Sequence, residues 1–215
     1  LNQIMQYEEG VLTPTNFVQS TPNAIAAQLG FISKNKGYNI THVHKGLAFE
    51  NAVLDADMLL DDNPAHTYLL GGLDEISDYN FNIECLSGYI KTEEISNVGL
   101  YTSKTPGSIA GEGVAMFIVN GEREGAVSAL GAVKTIHTTN KKDILNVYNQ
   151  FLADNQLSPA DIDMLLTGEN GDNRYTGYYE LLEPLLQNTA IGRFKHMSGE
   201  YQTASSFALW LAIQI

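Results

Sequence analysis

Short apolar runs of β-favouring residues alternate with helix-period stretches along the chain, and this alternation constrains the fold most. Strands separated by helices pack as layers of helix against sheet around a shared core, so the sequence reads as an α/β protein. Residues 22–33 predict a helix, with Thr21 as N-cap, Pro22 at the first helical position and Gly30 as a late breaker. Residues 38–44 alternate and are rich in β-formers, which predicts a strand. A second helix follows over 46–60, with Leu47, Ala48, Val53, Leu54 and Leu59 apolar, and then a short buried strand over 67–71. Residues 76–108 carry Asp78, Asn80, Asn82, Gly88 and Pro106 without a sustained period and read as an irregular excursion. The apolar runs 113–119 and 126–136 flank the polar Asn120-Gly121-Glu122-Arg123, which predicts a hairpin and a mixed sheet. Residues 141–155 place Ile144, Val147, Tyr148 and Phe151 on one helical stripe. A strand over 162–166, a loop or strand over 188–194 and an almost wholly apolar helix over 203–215 complete the reading.

The chain has 215 residues, 44% hydrophobic and 17% charged, a balance that is neither disordered nor membrane-spanning. That length suits one domain or two small ones, and no apolar window approaches the roughly 18 residues of a transmembrane helix. Twelve Lys and Arg against 25 Asp and Glu leave a net charge of −13, which excludes phosphate-backbone binding as the main activity. Cys85 is the sole cysteine, so neither an internal disulfide nor a thiolate metal cluster can form, and a reducing, cytoplasmic setting fits. Cys85 itself reads as a small buried hydrophobe. Leu1 at the first position and the lack of a basic-then-apolar leader suggest a portion of a larger protein.

Local motifs are few. His42 and His44 share a face if their segment is a strand, and Glu50 is the one further ligand type close by; exposed or core-edge histidines explain the pair better than a metal. The loop 168–173 is rich in oxygen ligands but lacks EF-hand spacing, so it reads as a tight connection. There is no Walker loop, no dinucleotide fingerprint and no nucleophile elbow, and the glycines of 107–113 lead into a strand. No cofactor is implied.

Taken in order, six segments resemble β-ketoacyl synthases, condensing enzymes of the thiolase fold. Residues 14–30 are similar to the family's Ser-Pro-x-x-Phe…Asn-x-x-Ala helix start. Gly37-Tyr38-Asn39-Ile40-Thr41, with 46–52 and the helix after it, resembles the strand and helix that flank the nucleophile. Residues 70–75 are similar to the Gly-Gly-x-[Asp/Glu] strand end, and 111–119 to the Gly-Glu-Gly hairpin. Residues 158–163 with Thr167, Gly168 and Asp172 resemble the strand before the His-Gly-Thr-x-Thr…Asp loop. Lys195 followed by 199–206 resembles the Lys…Gly-His-Thr helix start. The resemblance covers nearly the whole chain and implies a thiolase-like layered fold with mixed sheets and helices between them, incomplete at both ends. It also implies one ketosynthase-like region over 1–215, in approximate halves 1–110 and 111–215.

The departures fall on the chemistry. The family's nucleophile is a Cys at a helix N-terminus, where the dipole stabilises a thiolate. Gly46 stands there and cannot be acylated. Two histidines would stabilise the enolate, and Thr167 and Glu200 stand in their places. Lys195 matches the family's lysine but is left with no reaction to assist. A register slip bringing in Cys85 is disfavoured, because Cys85 lies in the 76–108 excursion.

The resemblance therefore implies a non-condensing subunit, similar to chain length factors, that pairs with an active β-ketoacyl synthase in fatty-acid, polyketide or polyene-type biosynthesis. In that role 38–44 would cross-pair with a partner strand, and His42, His44, Phe49 and Glu50 would line the tunnel or interface. The acidic charge disfavours direct docking of an acidic acyl carrier protein, so a partner would supply the basic surface. One alternative keeps an enzyme with altered acyl-transfer or hydrolytic chemistry, using Glu200 as general base near Thr167 and His44. Another is a structural homodimer without catalysis.

Overall fold

The structure, a computed structural model, describes residues 14–215. The chain divides into two compact units, 1–43 and 44–215.

In the first unit, α1 (Pro14–Gln19) precedes α2 (Ala24–Ile32). Thr21 does not cap α2: its hydroxyl donates back to the Val18 carbonyl at 2.8 Å, and Asn23 takes the N-cap position instead. Gly30 lies inside the helix, which Ser33 closes by donating its hydroxyl to Leu29 O at 2.7 Å. The alternating segment 38–44 is not a strand. Alternation favours extended backbone, but a strand exists only as a ladder with a neighbour, and one tie here is a side-chain bond, Asn39 Nδ2 donating to Ala26 O of α2 at 2.8 Å.

The second unit contains α3 (Ala48–Asp62), β1 (Thr67–Asp74), α4 (Asp78–Leu86), β2 (Gly113–Asn120) and α5 (Lys141–Asp154). It continues with β3 (Met164–Thr167), α6 (Thr176–Tyr179), β4 (Ala190–Arg193), α7 (Lys195–Ser198) and α8 (Ala204–Gln214). The strands predicted from 67 and 162, and the helices predicted from 46, 141 and 203, are all present with shifted ends. The 76–108 excursion is less irregular than its sequence, since it holds α4 and a 3₁₀ turn over Asn97–Thr102. Ser77 starts α4 by accepting the Asn80 amide on its hydroxyl, with Asp78 in the first turn.

β1 and β2 pair antiparallel from Thr67 opposite Asn120 to Asp74 opposite Gly113, whereas β3 and β4 run parallel from Met164 opposite Ala190 to Thr167 opposite Arg193. One two-stranded sheet is thus antiparallel and the other parallel, and the expected hairpin does not form. Residues 126–136 form no strand. β1 wins as partner because it sets Leu70 opposite Phe117 on the face that meets Phe49 and Val53 of α3, while 126–136 is interrupted by Gly131 and mostly exposed. Val133 still reaches that core, together with Ala52, Val119 and Leu209 of α8. Gly72 makes the approach of α8 possible: a Cβ there would lie 2.7 Å from Ser206 Oγ and 2.9 Å from Thr203 Cβ. Asp74 fixes the same junction, accepting from Thr203 N at 2.8 Å and from its hydroxyl at 2.6 Å.

Candidate functional site

Parallel strands carry their C-terminal ends to the same side, where loops can assemble a site. Here those ends are Thr167 and Arg193, and the segments beyond them bring Glu169, Asn170, Lys195 and Glu200 together. The buried Lys195 ammonium donates to Glu200 Oε1 at 2.5 Å. Glu200 Oε2 accepts from Asn170 Nδ2 at 2.8 Å, so both carboxylate oxygens are engaged. The backbone holds Glu200 as firmly: its amide donates to Ile109 O at 2.8 Å, and its carbonyl accepts from Gly111 N at 3.1 Å. Gly199 before it has φ +70°, and a Cβ there would strike Ala110 O and Gly111, so this crossing requires glycine.

A second ionic group adjoins the first. Arg193 donates to Glu169 and, through Nη2, to Glu183 Oε1 at 2.6 Å. Burial disfavours its charge, but the two carboxylates raise its pKa above the ordinary value. The buried Thr167 hydroxyl accepts the Glu169 amide at 3.0 Å. Tyr179 donates to Gly168 O at 3.1 Å; burial, with the charges of Glu200 and Glu169, pushes its phenol up to about 12. Tyr101 accepts the His196 amide at 3.1 Å, and burial raises its pKa. A cleft of about 280 Å³ adjoins this group, lined in part by Tyr101, Lys104, Glu169, Asn173 and Glu180.

Gly46 sits just ahead of α3 and is exposed, with nothing within 4 Å of the place a Cβ would occupy. The nearby amides are taken: His44 Nδ1 accepts from Gly46 N at 3.2 Å and Leu47 N at 3.1 Å, so that nitrogen carries no hydrogen. Lys45 pairs with Glu84 at 3.6 Å and lies 3.6 Å above the Tyr89 ring. That pairing brings α4, which carries the half-buried Cys85, next to the start of α3 despite the sequence separation. Phe49 is buried against Phe117, with ring centroids 5.9 Å apart, and Glu50 Oε2 is shielded without a hydrogen-bond partner. His42 is half-buried. Among the described residues, no three His, Cys, Asp or Glu side chains converge to hold a metal ion.

Of the residues singled out in sequence, Lys195 and Glu200 meet directly, and Thr167 joins them through its own loop. Asn170, Arg193, Glu183 and Tyr179 were not foreseen. Asn170 lies in the 168–173 loop, whose sequence alone suggests only a tight connection. As it stands, the cluster offers paired charges: the amine of Lys195 faces a carboxylate whose two oxygens each accept one hydrogen bond.

Comparison with solved structures places this geometry in a known fold. The chain matches a β-ketoacyl synthase from Burkholderia phymatum STM815 with a TM-score of 0.71 at 15% identity, over 99% of this chain and 57% of that one. It matches the ketosynthase from module 6 of the bacillaene synthase of Bacillus subtilis 168 with a TM-score of 0.71 at 14% identity, over 95% of this chain and 41% of that one. A third match comes from a type II polyketide synthase acyl-carrier protein in complex with its ketosynthase bound to the hexaketide: TM-score 0.75, 14% identity, 96% of this chain and 57% of that one. No protein-family model and no curated protein sequence matches the chain. The chain therefore has a thiolase-like ketosynthase fold and spans little more than half, or less, of the solved chains that it resembles.

Proposed function

We propose that this chain is a ketosynthase-like subunit that performs no condensation itself and acts beside a cysteine-bearing ketosynthase, in the manner of a chain length factor. The observation that carries this reading is the Lys195–Glu200–Asn170 lock, combined with a glycine at the nucleophile position. A carboxylate about 4 Å from a developing enolate opposes it by about 4 kcal/mol at an effective dielectric near 20, and Lys195 at similar range offsets about the same amount. The ion pair thus sums to little, whereas a single well-placed oxyanion donor contributes about 3–4 kcal/mol. Thr167, whose hydroxyl oxygen accepts the Glu169 amide, offers one hydroxyl donor in place of a histidine.

The segment 38–44 fits a partner-facing role: Tyr38, Ile40 and Val43 are exposed, and the segment belongs to no sheet among the described residues. On this reading a partner strand completes it, and His42, His44, Phe49 and Glu50 line the interface or the tunnel beyond. The carrier protein engages the partner, since a chain of net charge −13 repels another acidic surface. General-base chemistry by Glu200 is the weaker alternative, because its carboxylate is tied to the buried Lys195 ammonium and to Asn170.

The test is intact-mass analysis of the purified protein after incubation with an acyl thioester. The expected result is no covalent adduct on this chain, while a cysteine-bearing ketosynthase in the same reaction is acylated. An adduct formed by this chain alone would contradict the proposal.

A further inference from the structure

The cleft of about 280 Å³ is walled by three segments: the 3₁₀ turn and its exit, with Tyr101 and Lys104; the loop after β3, with Glu169 and Asn173; and α6, with Glu180 at its end. Bonds between these segments fix its shape. Asn173 Nδ2 donates to the Lys104 carbonyl, and Asn173 N donates to Thr105 O at 3.4 Å. Leu100 packs over Gly171, which has φ +76° and where a Cβ would lie 2.6 Å from the Leu100 carbonyl oxygen. Tyr179 ties α6 to the loop through Gly168 O. Glu169 is the residue that points to a guest. Its side chain is only 9% exposed, and Arg193 engages Oε2. Oε1 accepts no hydrogen bond from a described residue and is not sealed off, so it answers to whatever fills the cleft that Glu169 lines. A carboxylate oxygen withdrawn from water needs a donor, because leaving it unmet is costly. Charges without partners stand around it. Lys104 and Glu180 are exposed, and neither forms an ion pair among the described residues. Lys141 Nζ lies 3.0 Å from the place of a Gly177 Cβ, so a second ammonium borders the α6 side.

We propose that this cleft binds a small zwitterion of the α-amino-acid type, whose ammonium donates to Glu169 Oε1 and Glu180 and whose carboxylate accepts from Lys104. The inference goes beyond the silent-subunit reading and does not draw on the glycine at position 46. The mixed lining selects the class of guest. An anion alone, phosphate included, would be repelled by Glu169 and Glu180, whereas a simple amine would be repelled by Lys104 and Lys141. A molecule carrying both charges at short separation meets each with its opposite. An acyl chain is unsuited, because it would leave the Glu169 oxygen and the Asn173 and Lys104 side chains without partners. The volume falls just under the roughly 300–1,000 Å³ of pockets for drug-sized molecules, which suits a smaller guest.

The experiment titrates the protein encoded by its complete gene with each common L-amino acid, to about 10 mM, by isothermal titration calorimetry and without any activity readout. At least one is expected to bind with a Kd of about 1 mM or tighter. For the tightest of them, the amine lacking the carboxylate and the 2-hydroxy acid lacking the ammonium are expected to bind at least about 10-fold more weakly. Glu169→Gln is expected to weaken binding by a similar factor. Lys104→Ala and Glu180→Gln change exposed side chains, and each is expected to lower affinity about 5–10-fold with the melting curve unmoved, which keeps the test open if Glu169→Gln fails to fold. No binding by any amino acid would overturn the proposal and leave water on Glu169 Oε1. Equal binding of the amine or of the hydroxy acid would also overturn it. So would an affinity that Lys104→Ala and Glu180→Gln leave unchanged, since the guest would then sit elsewhere. Amino-acid binding in this cleft by a protein that condenses unaided would refute the silent-subunit reading and leave this one standing.

Discussion

Glu200 is paired with an ammonium that has little access to water, and that pairing sets the consequences of changing either residue. Glu200→Gln leaves the Lys195 charge buried and uncompensated, so a loss of about 1–3 kcal/mol is expected in urea unfolding, discounted because Glu200 is itself partly exposed. Removing both charges with Lys195→Met and Glu200→Gln is expected to recover most of that loss, and a double-mutant cycle measures the coupling. Gly46 behaves differently. Its surroundings are open and its backbone is outside the left-handed region, so Gly46→Cys is expected to change stability by less than about 1 kcal/mol. That variant alone is expected to give no condensation in a malonyl-thioester assay, because one Thr167 hydroxyl and the Glu200 carboxylate stand where the family has two histidines. Acid sensitivity should centre on Asp172. Burial opposes its charge, but the Arg174 guanidinium, with Nε at 2.9 Å and Nη2 at 2.5 Å, holds its carboxyl below the ordinary range. A depressed native pKa contributes stability above the unfolded value of about 3.9, and this is lost as pH falls through the lower native value. Asp172→Asn is therefore expected to lower stability at neutral pH and to flatten the decline below about pH 4 in a pH series of unfolding curves. Gly46, Thr167, Lys195 and Glu200 could be singled out as candidates from ordered motifs. Their partners could not, because Asn170 meets Glu200, and Arg193 meets Glu169, only once β3 and β4 lie in register.

Helices were legible where their apolar stripe was clear, as in α3 and α5, and strands where a β-rich run was short and bounded, as in β1. Pairing was not legible. The polar 120–123 turn promised a local hairpin, but β2 joined β1 across nearly 40 intervening residues, because that register buries Leu70 and Phe117 together. The 38–44 segment failed as a strand for the converse reason: local alternation cannot supply a neighbour. α4 was missed because its apolar residues have little period, although Ser77 followed by Asp78 is a helix start. The junction of β1 with α8 depends on Gly72. Gly72→Ala forces a methyl into Ser206 and Thr203 and is expected to cost about 1–3 kcal/mol, read as a lower urea midpoint. Gly131→Ala meets nothing within 4 Å and has no positive φ, so it is expected to be neutral or slightly stabilising and serves as the matched control.

As a whole the molecule combines a ketosynthase fold, a dominant negative charge and apolar surface left uncovered on a sheet and a helix. Among the described residues, no helix is long and apolar enough to cross a membrane. On the proposed reading, the acidic charge suits a partner that carries the reactive cysteine and the basic docking surface for a carrier protein. The decisive measurement is native affinity isolation of the complete protein from its source, with identification of co-eluting chains and malonyl-thioester turnover on the eluate. The account predicts a stoichiometric cysteine-bearing ketosynthase, with turnover that disappears when that partner is removed. Turnover by this chain isolated alone would contradict it.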